Sequence, residues 1–181
     1  KALAQRASAL GVKVQYFDVV DQSEAEKEWG LKYLFPEELL SSSDIISYHL
    51  PKTSFTHHLI NRNSLRKMRP DALLINSSRG YIQDENAIVE ALNSGQISGA
   101  GLDVFEVEPL PENSPLRKLE NVVLTPHSAP DNESLILAVR NALDNLLRVS
   151  NGNEPQSIAV DHEEVTRQFL ERFPEVKLTA S

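Results

Sequence analysis

Cysteine is absent from all 181 residues of the chain. Disulfides, thiol nucleophiles and cysteine-ligated zinc are therefore excluded, a composition that fits a cytoplasmic protein. Long apolar runs are missing too. No stretch approaches the roughly 20 residues that span a bilayer, so no membrane partner is expected, and no signal peptide is visible. Positive charge is scarce: 18 Lys and Arg stand against 26 Asp and Glu, for a net charge of −8. That balance argues against a nucleic-acid surface. Internal repeats and low-complexity tracts are absent. The length suits one soluble domain with a real core.

The chain opens abruptly. "KALAQRASALG" reads as a helix, with Ala2, Leu3, Ala7 and Leu10 on one face and Gly11 as its stop. No Ser, Thr, Asp or Asn precedes it as a cap, and no Met begins it. This reads as a fragment of a longer protein. Strands and helices then alternate. Strands are expected over Val12–Phe17, Ile45–Tyr48, Ala72–Ile75, Gly99–Val104 and Val122–Thr125, with a further short one near Lys32–Phe35. Helices are expected from Pro36, over Ser64–Met68, after Asp84, and over Glu133–Val149. Short apolar strands alternating with helices predict an α/β fold, a doubly wound parallel sheet covered on both faces.

In such sheets ligands bind beyond the carboxyl ends of the strands. Each expected strand delivers a polar group there. Asp18 follows the first and His49 the second. Ser77, Ser78 and Arg79 follow the third. Asp103 ends the fourth, with Glu108 five residues on, and His127 follows the fifth. Asp18 carries two readings. It caps a turn, or it accepts the ribose hydroxyls of a bound adenosine and repels a 2′-phosphate, favouring NAD over NADP. The glycine loop that accompanies such an acid lies about 20 residues upstream, before Lys1. The first strand and its glycine loop are therefore expected to be missing.

"LLINSSRGYIQDENAIVEALNSGQISGAGLDVFEVEP", followed by "LENVVLTPHSA", resembles the D-isomer-specific 2-hydroxyacid dehydrogenases. The likeness runs from Lys1 to about Asn151 and is most specific between Arg79 and Ser128. The family signature of Arg, then Glu before Pro, then His after Pro stands here as Arg79, Glu108 and His127. The resemblance implies a two-domain, NAD-dependent enzyme that interconverts 2-keto acids and D-2-hydroxy acids, with a homodimer as the whole protein. It also implies that Asp103 lies near the nicotinamide. His49, Pro51 and Thr56, in "HLPKTSFT", would line the adenine and pyrophosphate side, and Ser77 and Ser78 join the cofactor-binding set.

The residue chemistry agrees. Arg79 presents a permanently charged planar fork for the carboxylate and carbonyl of a 2-keto acid, with Gly80 leaving room for close approach. Hydride delivery makes an alkoxide, and His127 is the natural proton donor. Glu108 orients the imidazole and favours its charged form. Neighbouring side chains diverge and no carboxylate is spaced to join them, so His57 and His58 read as a solvated loop or a helix start, and no metal is expected.

Three features depart from the family. The glycine loop and the substrate domain are absent, and Ser128-Ala129-Pro130 replaces a glycine-rich stretch. Residues 1–151 are expected to be a partial NAD-binding domain that is inactive alone. Residues 152–181 form a charged tail, amphipathic around Val165–Phe173, that would pack on the absent substrate domain, bind a partner or stay disordered. The alternative function is a non-enzymatic, NADH-sensing, corepressor-like protein of the same fold.

Overall fold

The computed structural model describes residues 1–128, 132–156 and 161–176. Among these residues six parallel strands form two sheets. β1 (Gln15–Tyr16) pairs with β2 (Lys32–Tyr33). β3 (Ile45–Tyr48), β4 (Leu73–Asn76), β5 (Gly99–Leu102) and β6 (Val122–Leu124) pair side by side in that order. Among the described residues β1 and β3 are not paired with each other.

Local signals account for most helices. α1 (Ala2–Ala9) has no side-chain cap from Lys1. α3 (Pro36–Ser42) begins with Pro36 and carries Glu37 and Glu38 in its first turn. α4 (Arg62–Lys67) starts two residues before its expected origin, because Asn61 and Ser64 make a reciprocal capping box. α5 (Glu85–Asn93) is capped by Asp84, whose carboxylate accepts the Ala87 N–H at 3.0 Å. It ends ahead of Gly95, whose φ of +70° suits glycine. α2 (Ser23–Trp29), between β1 and β2, was not foreseen.

The core lies between the four-stranded sheet and α3, α4 and α5. Ile46, Leu74 and Leu102 point into it, against Leu40, Leu65, Ile88 and Leu92. The strands alternate, so their other face carries Ile45, Leu73 and Val123. Among the described residues that face is open: Ile45 is 60 % and Val123 68 % exposed. The expected α/β fold with its parallel sheet stands, and among the described residues one of its faces is covered. α6 (Asn132–Ser150) likewise leaves Leu135, Val139, Leu143 and Leu146 exposed. The last helix, α7 (His162–Arg172), packs on this chain. The Phe169 ring lies 5.6 Å from Phe17 and the Phe173 ring 6.3 Å from Phe35. Glu163 accepts hydrogen bonds from the Ser54 N–H, at 2.9 Å, and from its hydroxyl.

Candidate active site

Parallel register brings the strand ends together. Asn76 of β4 lies opposite Leu102 of β5, and Leu102 lies opposite Leu124 of β6. The next residues, Ser77, Asp103 and Thr125, therefore emerge along one edge. Arg79, Glu108 and His127 follow on the loops those strands feed.

The Arg79 loop is set by a buried amide pair. Asn76 has no solvent exposure. Its Oδ1 accepts the Ser78 N–H at 3.1 Å and the Ser78 hydroxyl at 2.8 Å. Its Nδ2 donates to the Arg79 carbonyl at 3.2 Å and to Gln83 Oε1 at 2.7 Å. Gln83, equally buried, donates onward to the Val104 carbonyl at 2.9 Å. Two satisfied amides thus join the loop after β4 to the loop after β5. Gly80 serves the same junction. A Cβ there would overlap the Phe105 carbonyl and lie 2.8 Å from the Glu106 nitrogen. The expected reason for Gly80, room for a ligand, is corrected: the close approach is backbone against backbone.

Glu108 and His127 form a pair. Nδ1 of His127 lies 2.8 Å from Glu108 Oε2, and Glu108 Oε1 accepts the Phe105 N–H at 3.0 Å. These bonds, His127 first, hold the Glu108 carboxyl below its ordinary pKa. A carboxylate only accepts, so Nδ1 carries the proton and Nε2 is left for other work. His127 sits at φ +52°, in the left-handed region that residues with a Cβ seldom adopt. Arg79, Glu108 and His127 line one cavity of about 260 Å³, shared with Lys52 and Tyr81. The Arg79 guanidinium is exposed and donates to the Ser78 carbonyl at 2.6 Å.

A neighbouring cavity of about 370 Å³ is lined by Ser77, Asp103, Thr125 and Ser128 over an apolar floor of Ile75 and Val123. Asp103 is only 8 % exposed. It accepts the Ser128 N–H at 3.0 Å and the Thr125 hydroxyl. A flat, partly apolar ring with polar edges fits this setting. Ala129 and Pro130, of the Ser-Ala-Pro departure, lie outside the described residues.

The remaining expected residues line neither cavity. Asp18 accepts the Val20 N–H at 3.0 Å and the Gln22 side-chain amide at 3.1 Å, so it organises the turn into α2. His49 is exposed, its Nε2 2.9 Å from the Ser47 hydroxyl. Thr56 is buried and donates to the Pro51 carbonyl at 2.8 Å, which fixes that turn. Among the described residues no cluster of three His, Cys, Asp or Glu is placed to hold a metal. Sequence reasoning missed Asn76, Gln83, Lys52 and Tyr81. The signal for Asn76 was present, as an amide closing a strand that is otherwise apolar.

Residues 1–129 match the family described as "D-isomer specific 2-hydroxyacid dehydrogenase, NAD binding domain". The chain is 42 % identical over 158 residues to a glyoxylate reductase of Korarchaeum cryptofilum, covering 87 % of this chain and 48 % of that protein. It resembles the crystal structure of D-lactate dehydrogenase with NAD+ from Lactobacillus jensenii. The TM-score is 0.78 at 32 % identity, over 88 % of this chain and 52 % of that one. It also resembles an NADPH-dependent glyoxylate/hydroxypyruvate reductase from Sinorhizobium meliloti in complex with NADP. There the TM-score is 0.77 at 28 % identity, over 88 % and 51 % of the two chains. The chain thus spans about half the length of the relatives it matches.

Proposed function

The chain belongs to the D-isomer-specific 2-hydroxyacid dehydrogenase family, through its NAD-binding domain, and from that membership we propose that the whole protein transfers a hydride between NAD(H) and a small 2-keto acid/D-2-hydroxy acid pair. The observation that carries this reading is the meeting of Arg79 with the Glu108–His127 pair on one cavity, beside the one that Asp103 lines.

When bound, NADH supplies the hydride. This chain's residues do the rest. Arg79 takes the substrate carboxylate with its fork and draws charge from the keto oxygen. Nε2 of His127 gives that oxygen a proton as the hydride reaches the carbon, and removes the proton in the oxidative direction. Glu108 holds Nδ1–H, which fixes the tautomer and compensates the imidazolium charge. Asp103 and Ser77 would hold the nicotinamide end of the cofactor. His49, Pro51, Thr56 and Ser78 would shape its pyrophosphate side, and Asp18 its adenosine ribose. Each Asp18 oxygen retains lone-pair capacity beyond its single hydrogen bond, which supports a ribose contact and a preference for NAD over NADP. The reading extends to a cytoplasmic homodimer, with residues 1–151 as part of the NAD-binding domain and 152–181 as its tail.

The test is NADH oxidation by the whole protein with glyoxylate, hydroxypyruvate and pyruvate. His127→Gln should lower kcat by roughly 10²-fold or more, with NADH affinity kept. A whole protein that binds NADH tightly and reduces none of the three would sink the dehydrogenase reading and favour the NADH-sensing alternative.

A further inference from the structure

The charges around the Arg79–His127 cavity do not balance pairwise. Two carboxylates line it, and both are engaged: Glu108 with His127, and Glu106 with the Glu85 N–H at 2.8 Å and with His58 at 3.6 Å. Two cations line it, Arg79 and Lys52. Among the described residues neither has a carboxylate within ion-pairing distance. Arg79 is the expected seat of the substrate carboxylate. That leaves one unneutralised ammonium in the same cavity.

Lys52 is exposed, but both its backbone and its ammonium have fixed contacts. The backbone on both sides of it is pinned by the buried Thr56, whose hydroxyl donates to the Pro51 carbonyl at 2.8 Å and accepts the Thr53 N–H at 2.9 Å. Its ammonium rests 4.6 Å from the centroid of the Tyr81 ring. That ring is itself backed by His57 at 4.6 Å. A cation held by a π-face keeps its full charge for a ligand, whereas one held by a carboxylate does not.

We propose that Lys52 is a specificity-determining residue that binds a second carboxylate on the substrate, remote from the keto carbon, while Arg79 binds the carboxylate beside it. The favoured substrate class is then a 2-keto dicarboxylic acid. A singly charged group suits the site better than a phosphate dianion, because Glu106 and Glu108 line the same cavity and repel excess negative charge. This inference rests on the dehydrogenase reading for its chemistry, but not for its binding.

The experiment compares the whole protein with its Lys52→Met and Lys52→Arg variants, using oxaloacetate and glyoxylate as probes under saturating NADH. Lys52→Met should lower kcat/KM for oxaloacetate by about tenfold or more, mainly through KM, with glyoxylate changed less than about twofold and Lys52→Arg restoring most of the loss. Equal losses on both substrates, or no loss on either, would overturn the assignment. So would weakened NADH binding in Lys52→Met, which would put the ammonium on the cofactor. If the unaltered protein reduces neither of these acids, nor hydroxypyruvate, nor pyruvate, the dehydrogenase reading falls by itself. Calorimetric titration with malonate and acetate then decides Lys52. Weaker malonate binding in Lys52→Met upholds the subsite, and unchanged malonate binding removes it.

Discussion

Replacing Gly80 with alanine adds one methyl group at the tightest junction of the site. The new Cβ would occupy the space of the Phe105 carbonyl and come within 2.8 Å of the Glu106 nitrogen. Both contacts are backbone, so no side-chain rotation relieves them. The Arg79 loop is held by Asn76, and the Phe105–Glu108 segment by the Glu108 carboxylate. One of the two must move by about an ångström or more, which strains the 2.9 Å bond from Gln83 to the Val104 carbonyl. Overpacking of this kind costs about 1–3 kcal/mol. For a chain of this size each kcal/mol lowers the melting temperature by roughly 2–4 °C. The same displacement pulls Arg79 away from the Glu108–His127 pair, and a misplacement of about 1 Å can cost 10²-fold in rate. Thermal unfolding and NADH oxidation by the whole protein read the two effects separately. An alanine variant that melts with the parent and keeps its rate would show that the junction is looser than described.

Two further outcomes follow from the same neighbourhood. Asn76→Ala strands the Ser78 N–H and Gln83 Oε1, a loss of about 1–3 kcal/mol in urea denaturation, and should lower kcat by loosening Arg79. An unchanged denaturation midpoint would refute the network's role. Glu85 has its pKa raised, chiefly by burial and also by the charge of Glu106. A carboxyl whose folded pKa exceeds its unfolded pKa favours the fold at low pH and loses that contribution as pH rises through the folded value. Glu85→Gln should therefore raise the denaturation midpoint at neutral pH, with the difference closing near pH 4. A gain equal at both pH values would point to packing instead.

The sequence made the strand-and-helix alternation legible because each element carries its own signal. Ile45–Tyr48 is apolar between polar flanks, Asp84 caps α5, and Pro36 opens α3. Strand lengths were less legible. Val12–Phe17 shrinks to Gln15–Tyr16, since β1 pairs only with the two-residue β2. At the site, strand ends drew attention to Arg79, Glu108 and His127, and the resemblance to the family signature gave their order. The supports were not legible. Gln83 reaches Val104 across 21 residues, and Gly80 meets Phe105, so both depend on tertiary approach rather than on local pattern. Lys52 was passed over because a lysine in a polar turn looks like any other until Tyr81 is seen beneath it.

His127 sets two demands against each other. Its backbone, at φ +52°, suits a glycine, and an L-residue there costs about 1–2 kcal/mol. Its ring, bound to Glu108, is the group assigned to move the proton. Stability and turnover therefore point to different residues at one position. Directed evolution of this chain ranked by melting temperature alone would drift toward Gly or Asn there, and would arrive at sturdier proteins that lack the imidazole proposed to move the proton.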